Sequence, residues 1–127
     1  MTSQWQHPPM FRVSSHQCDG VTVISVSGEL DLITAPTLRK HLRAAALPPA
    51  TPVLIVDMSE VSFCDSVGMS ELVLALHRSQ TDGVRLMLSG VHGNLERLLY
   101  RTGLHNAFEQ HTSRDEALRQ AGTEAGR

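Results

Sequence analysis

Aromatic side chains make up only 4% of this 127-residue chain. A core must therefore be built from Leu, Val, Ile, Ala and Met, and a 41% hydrophobic content is enough for one domain of ordinary size. Basic residues form no block: 11 are scattered against 13 acidic ones, for a net charge of -2. That balance excludes nucleic acid and anionic membrane as electrostatic partners. No apolar run approaches the roughly 20 residues that cross a bilayer. The opening Met1-Thr2-Ser3-Gln4-Trp5-Gln6-His7-Pro8-Pro9 has neither the basic start nor the apolar stretch of a signal peptide. The expectation is a soluble, cytoplasmic protein.

Cysteine is nearly absent as well. Cys18 and Cys64 stand in no Cys-x-x-Cys or metal-ligand spacing, and no metal is expected. Spacing leaves a disulfide between them open, although a cytosolic chain favours two reduced thiols. No Gly-rich phosphate loop occurs, so no nucleotide or other cofactor is implied. Internal repeats and low-complexity tracts are missing too. The expected organisation is an arm over residues 1–9, one domain over 10–120 and a tail over 121–127.

Hydrophobic spacing supplies the elements. Residues 10–15 suit an edge strand, and Cys18-Asp19-Gly20 reads as a hairpin turn. Residues 21–26 alternate Val21, Val23 and Ser25 against Thr22, Ile24 and Val26, the pattern of a strand. A helix follows, with Thr34 as its cap, Pro36 in its first turn and an apolar face of Leu38, Leu42 and Ala45; Pro48-Pro49 stops it. The run Val53-Leu54-Ile55-Val56 suits a central strand. Met69, Leu72, Val73 and Leu76 mark a second helix ended at Asp82-Gly83, and residues 84–88 another strand. Leu95, Leu98 and Leu99 mark a third helix closed by Gly103, and Ser113 with Glu116 opens a fourth as a capping box. Ala107-Phe108-Glu109 suits a further short strand. The fold class is α/β: a mixed sheet of four to five strands with about four helices.

One stretch carries the chemistry. The central strand leads through a short connection to Asp65-Ser66, where a helix begins. Loops beyond the carboxyl ends of strands are favoured sites in such domains. Ser66 falls at or near the helix N-cap, where free N–H groups and the dipole's positive end favour a phosphate. Gly68 leaves room for another chain to approach. On a helical wheel Val67, Glu71, Leu74 and Arg78 lie opposite the core stripe, two apolar residues among charges, as in a small docking patch.

Three motifs in register resemble a known family. Gly28-Glu29-Leu30-Asp31 with Thr34-Ala35-Pro36 and Leu38-Arg39 resembles the opening of a STAS domain of the anti-sigma factor antagonist type. The run from Val56-Asp57-Met58-Ser59 through Cys64-Asp65-Ser66-Val67-Gly68 is similar to that family's signature, which ends in Asp-Ser-x-Gly. Leu95-Glu96-Arg97-Leu98-Leu99 with Thr102-Gly103-Leu104 resembles its third-helix closure. Met69-Ser70 and Cys64 depart from the common pattern and are expected to adjust packing and partner choice.

The resemblance implies a STAS-like single domain and a switch. Ser66 would be phosphorylated by an anti-sigma factor that is itself an ATP-dependent serine kinase. Asp65 and Asp31 would be associated acidic positions in the partner surface, and a phosphatase would reset the serine. The unphosphorylated chain would bind the anti-sigma factor and free a sigma factor. A non-catalytic scaffold or regulatory subunit, in a stressosome-like or lipid-transport assembly, is the alternative. A hydrolase is not expected: the Gly-x-Ser-x-Gly elbow is missing, and no pattern marks His77, His92 or any of the other histidines as a general base.

Overall fold

The alternation along residues 21–26 divides the chain between two cores on opposite faces of one sheet. A computed structural model describes residues 10–45 and 52–125. Five strands pair in chain order: β1 (Arg12–Cys18), β2 (Val21–Leu30), β3 (Val53–Cys64), β4 (Arg85–Ser89) and β5 (Glu109–His111). The first two are antiparallel and the remaining neighbours parallel, which makes the sheet mixed. Four helices complete the fold: α1 (Ala35–Ala45), α2 (Ser66–Asp82), α3 (Gly93–Arg101) and α4 (Arg114–Ala125).

The larger core joins Ile24, Val26, Leu54, Val56, Leu86 and Leu88 of the sheet to α1, α2 and α3 through Leu38, Leu42, Leu72, Leu95 and Leu99. The smaller core sets Val21, Val23, Val53, Ile55 and Met87 against Ala117 and Ala121 of α4. The central strand is buried on both sides as its apolar run requires.

Local chemistry explains the joints. Asp19 (φ 50°) and Gly20 (φ 79°) are both left-handed, which is what a two-residue hairpin between twisted strands needs. Gly83 ends α2 at φ 72° and donates its N–H to the Ser79 carbonyl. Ser113 Oγ accepts the Glu116 N–H at 3.1 Å, one half of the predicted box of α4, while the Glu116 carboxylate accepts from Arg119 and Gln120 instead.

Several boundaries differ from those read off the sequence. The edge strand is Arg12–Cys18 rather than 10–15, and β5 begins where the predicted 107–109 strand ended. Strands β2 and β3 are much longer than their apolar runs, because parallel pairing continues to Leu30 opposite Cys64 across two register shifts. The predicted connection after residue 56 is thus strand, and β3 delivers Asp65 directly. Helix α4 passes residue 120, with Ala121 packed in the smaller core, so the ordered body runs beyond the expected boundary. The arm over 1–9 and the Pro48-Pro49 stop lie outside the described residues. Among the described residues no helix is long and apolar enough to cross a membrane.

Candidate functional site

Leu30 and Cys64 end two neighbouring parallel strands side by side, so the turns that follow them meet. The Asp65 N–H donates to the Leu30 carbonyl at 3.0 Å. Asp65 itself is extended (φ -92°, ψ -178°) and is the N-cap of α2: its Oδ1 accepts the Gly68 N–H at 2.8 Å. Its second oxygen, Oδ2, accepts the Leu32 N–H at 3.2 Å, across 33 residues of chain. One carboxylate therefore caps a helix and holds the neighbouring turn.

That neighbouring turn is built by Asp31 and Thr34. Asp31 Oδ1 accepts the N–H groups of Ile33 (2.9 Å) and Thr34 (3.1 Å). Thr34 Oγ1 accepts the Asp31 N–H at 2.9 Å and donates to the Glu29 carbonyl at 2.8 Å. The exchange is reciprocal, as in a capping box, and Asp31 takes the capping role that the sequence assigns to Thr34. Between them Leu32 and Ile33 stand 65% and 80% exposed, an apolar tip in a place where polar residues are usual.

Ser66 is the first residue of α2 and is exposed. Its carbonyl accepts the Ser70 hydroxyl at 2.9 Å, and among the described residues no hydrogen bond engages its Oγ. As the residue after the cap it has an N–H that lacks an intrahelical partner, so the hydroxyl stands at the positive end of the helix dipole. Cys64, just before the cap, is fully buried, and its thiol is pushed up to about 12 by burial and by the nearby Asp65 charge. It is a core residue and a poor nucleophile. Asn94 at the start of α3 fixes the end of β3, accepting the Cys64 N–H at 3.0 Å and donating to the Cys64 carbonyl.

A STAS-domain family model matches residues 12–117. The chain belongs to the STAS family. An anti-sigma-B factor antagonist of Listeria monocytogenes is 35% identical over 68% of this chain and 75% of its own length. The anti-sigma-F factor antagonist RsfB of Mycobacterium tuberculosis is 28% identical over 94% of this chain and 95% of its own. The crystal structure of an anti-sigma factor antagonist from Mycobacterium paratuberculosis is similar at TM-score 0.77 and 30% identity, covering 87% of this chain and 93% of that one.

The STAS fold groups some of the predicted site residues and separates others. Asp31, Asp65 and Ser66 lie in the two joined turns, with half-buried Val67 beside them. Leu74 is 51% exposed on the outer side of α2. Glu71 is not on that face: it is buried and receives Arg39 of α1 through both carboxylate oxygens, with contacts of 2.6 to 3.1 Å. The two are three positions apart, only about 60° around the helix, but Glu71 falls on the side that packs against α1 and Leu74 on the solvent side. Gly68 is buried too. A Cβ there would fall 2.6 Å from Leu30 Cγ and 2.9 Å from the Leu30 carbonyl oxygen, so the missing side chain serves the core and opens no approach to another molecule. Arg78 is half-buried along the crevice between α1 and α2, with Leu42, Ala45 and Ala75.

The sequence reading missed Leu32, Ile33 and Asn94. A signal for the first two was present: two large apolar residues directly after Asp31, in a segment that belongs to neither apolar stripe. Asn94 offered none, because its partners are backbone atoms 30 residues away.

Proposed function

We propose that this STAS protein is an anti-sigma factor antagonist switched by phosphorylation of Ser66. Unphosphorylated, it binds a cognate anti-sigma factor and so frees a sigma factor. The contact surface is the pair of joined turns at Asp31 and Asp65, continued along α2 by Val67 and Leu74. The anti-sigma factor acts as the serine kinase. In the transfer, the Ser66 Oγ–phosphorus bond forms as the bond from ATP's γ-phosphorus to ADP breaks, and the hydroxyl proton leaves to a base on the kinase. A phosphatase restores the hydroxyl by hydrolysis to inorganic phosphate. The chain itself acts by binding, in the cytoplasm.

The observation that carries this reading is Ser66 itself: an exposed hydroxyl, free of hydrogen bonds among the described residues, at the first position of a helix in a STAS domain. The added group brings about -1.5 to -2 charge units. In the free chain the helix end faces that charge favourably. Within an interface the same charge lies beside the Asp65 carboxylate and must shed its water, which opposes binding. No refolding is required. The names of the relatives support the partner class, and the relatives cover most of the domain.

The test is phosphate mapping. Incubation of the chain with its cognate anti-sigma kinase and ATP should place one phosphoryl group on Ser66, found by peptide mass spectrometry, and Ser66→Ala should take none. Failure to label with every candidate kinase, or labelling at another residue, would sink the proposal.

A further inference from the structure

We propose that Asp65 is the positioning residue through which charge on Ser66 reaches the apolar tip Leu32–Ile33, and that this tip forms the second half of the surface met by the anti-sigma kinase. The inference rests on the proposed switch and adds how its two turns communicate. Its basis is the division of labour on one carboxylate. Oδ1 caps α2 at Gly68, and Oδ2 holds the Leu32 N–H. A helix cap alone needs one acceptor, which Ser, Thr or Asn supplies equally well. Only a carboxylate offers two acceptor oxygens in one plane and so can serve both backbones.

Among the described residues the tip has no second anchor of that kind. Ile33 and Thr34 donate to Asp31, inside their own turn, whereas Leu32 is the residue whose amide crosses to α2. Its side chain and that of Ile33 are both exposed beside the two joined turns. A kinase that reaches the Ser66 hydroxyl must also cover backbone that is one residue and one hydrogen bond away. The occupant is therefore the same partner, meeting Leu32 and Ile33 on one turn and Leu74 on the outer side of α2.

A phosphate on Ser66 acts on this arrangement in two ways. Its oxygens compete with Asp65 for the first-turn N–H groups of α2, and its charge repels the carboxylate. Both effects displace Asp65 from its bridging position. The Leu32 amide is released while the Asp31 bonds to Ile33 and Thr34 remain. The partner then meets a loosened tip as well as a charge.

Amide hydrogen exchange on the full 127-residue chain tests the link without any partner. Ser66→Glu should speed exchange at Leu32 by roughly tenfold, the scale of one hydrogen bond to a charged acceptor, and leave Ile33 and Thr34 little changed. Asp65→Asn keeps an acceptor for Gly68 but turns an NH2 toward Leu32. It should therefore free the Leu32 amide, preserve Gly68 protection and abolish any further effect of Ser66→Glu. Unchanged exchange at Leu32 in either variant would overturn the link. With the purified kinase, Ile33→Ser should weaken binding by roughly tenfold, and unchanged affinity would overturn the tip's role as a contact. If the unsubstituted chain binds no kinase, the proposed function fails while the exchange result still decides the role of Asp65.

Discussion

Gly68 and Cys64 face each other beneath the Asp-Ser turn, and both act at the residue scale by leaving little space. The position of a Cβ on Gly68 lies 2.6 Å from Leu30 Cγ and 3.0 Å from Cys64 Sγ. Because a backbone carbonyl also stands in the way, Gly68→Ala should destabilise the fold by about 1–3 kcal/mol, the usual cost of overpacking, read from urea denaturation. Cys64 adds a pH dependence. Folding pushes its ionisation up to about 12 from an ordinary 9.0, first through burial and then through the Asp65 charge. A group raised in this way leaves stability intact below the unfolded value. Above it the unfolded thiol ionises and the folded one does not, so stability drains as pH rises toward the folded value. Cys64→Ala should remove that alkaline component, so the stabilities of the two proteins should converge between pH 8 and 11. Parallel curves would contradict the assignment.

At the scale of elements, α1 and α2 are tied by Arg39 and Glu71, whose carboxylate is buried while the guanidinium remains partly exposed. A buried charge that loses its partner is costly, whereas removal of both charges is often neutral or stabilising. Arg39→Met should therefore lower the urea midpoint more than the double variant Arg39→Met/Glu71→Leu; the opposite order would show that the ion pair itself stabilises the helix contact. This pair also marks where the sequence stops being legible. The apolar repeat of Met69, Leu72, Val73 and Leu76 placed α2 correctly. It treated everything off that stripe as one outer face, and a charged residue turned toward a neighbouring helix leaves no periodic trace. The long ends of β2 and β3 were hidden for a similar reason. Residues 57–63 carry few consecutive apolar side chains, and they are strand because parallel pairing extends to Leu30.

For the whole molecule, one mixed sheet with three helices on one face and α4 on the other brings two strand ends together and sets a serine at the rim. The architecture was legible because β-branched runs, Gly turns and capping residues recur at the right intervals, from Asp19-Gly20 to Ser113. Asp31 was legible only as a member of a motif, whereas Asp65 and Ser66 were also legible from their place at the start of a helix. Their mutual geometry, the crossing bond to Leu32 above all, depends on residues distant in the chain. In the proposed switch the charge state of Ser66 decides whether a partner binds. Isothermal calorimetry of the cognate anti-sigma factor with Ser66→Ala and with the chain phosphorylated at Ser66 tests it most directly. The first should bind measurably and the second at least roughly tenfold more weakly; equal affinities would contradict a charge switch at Ser66.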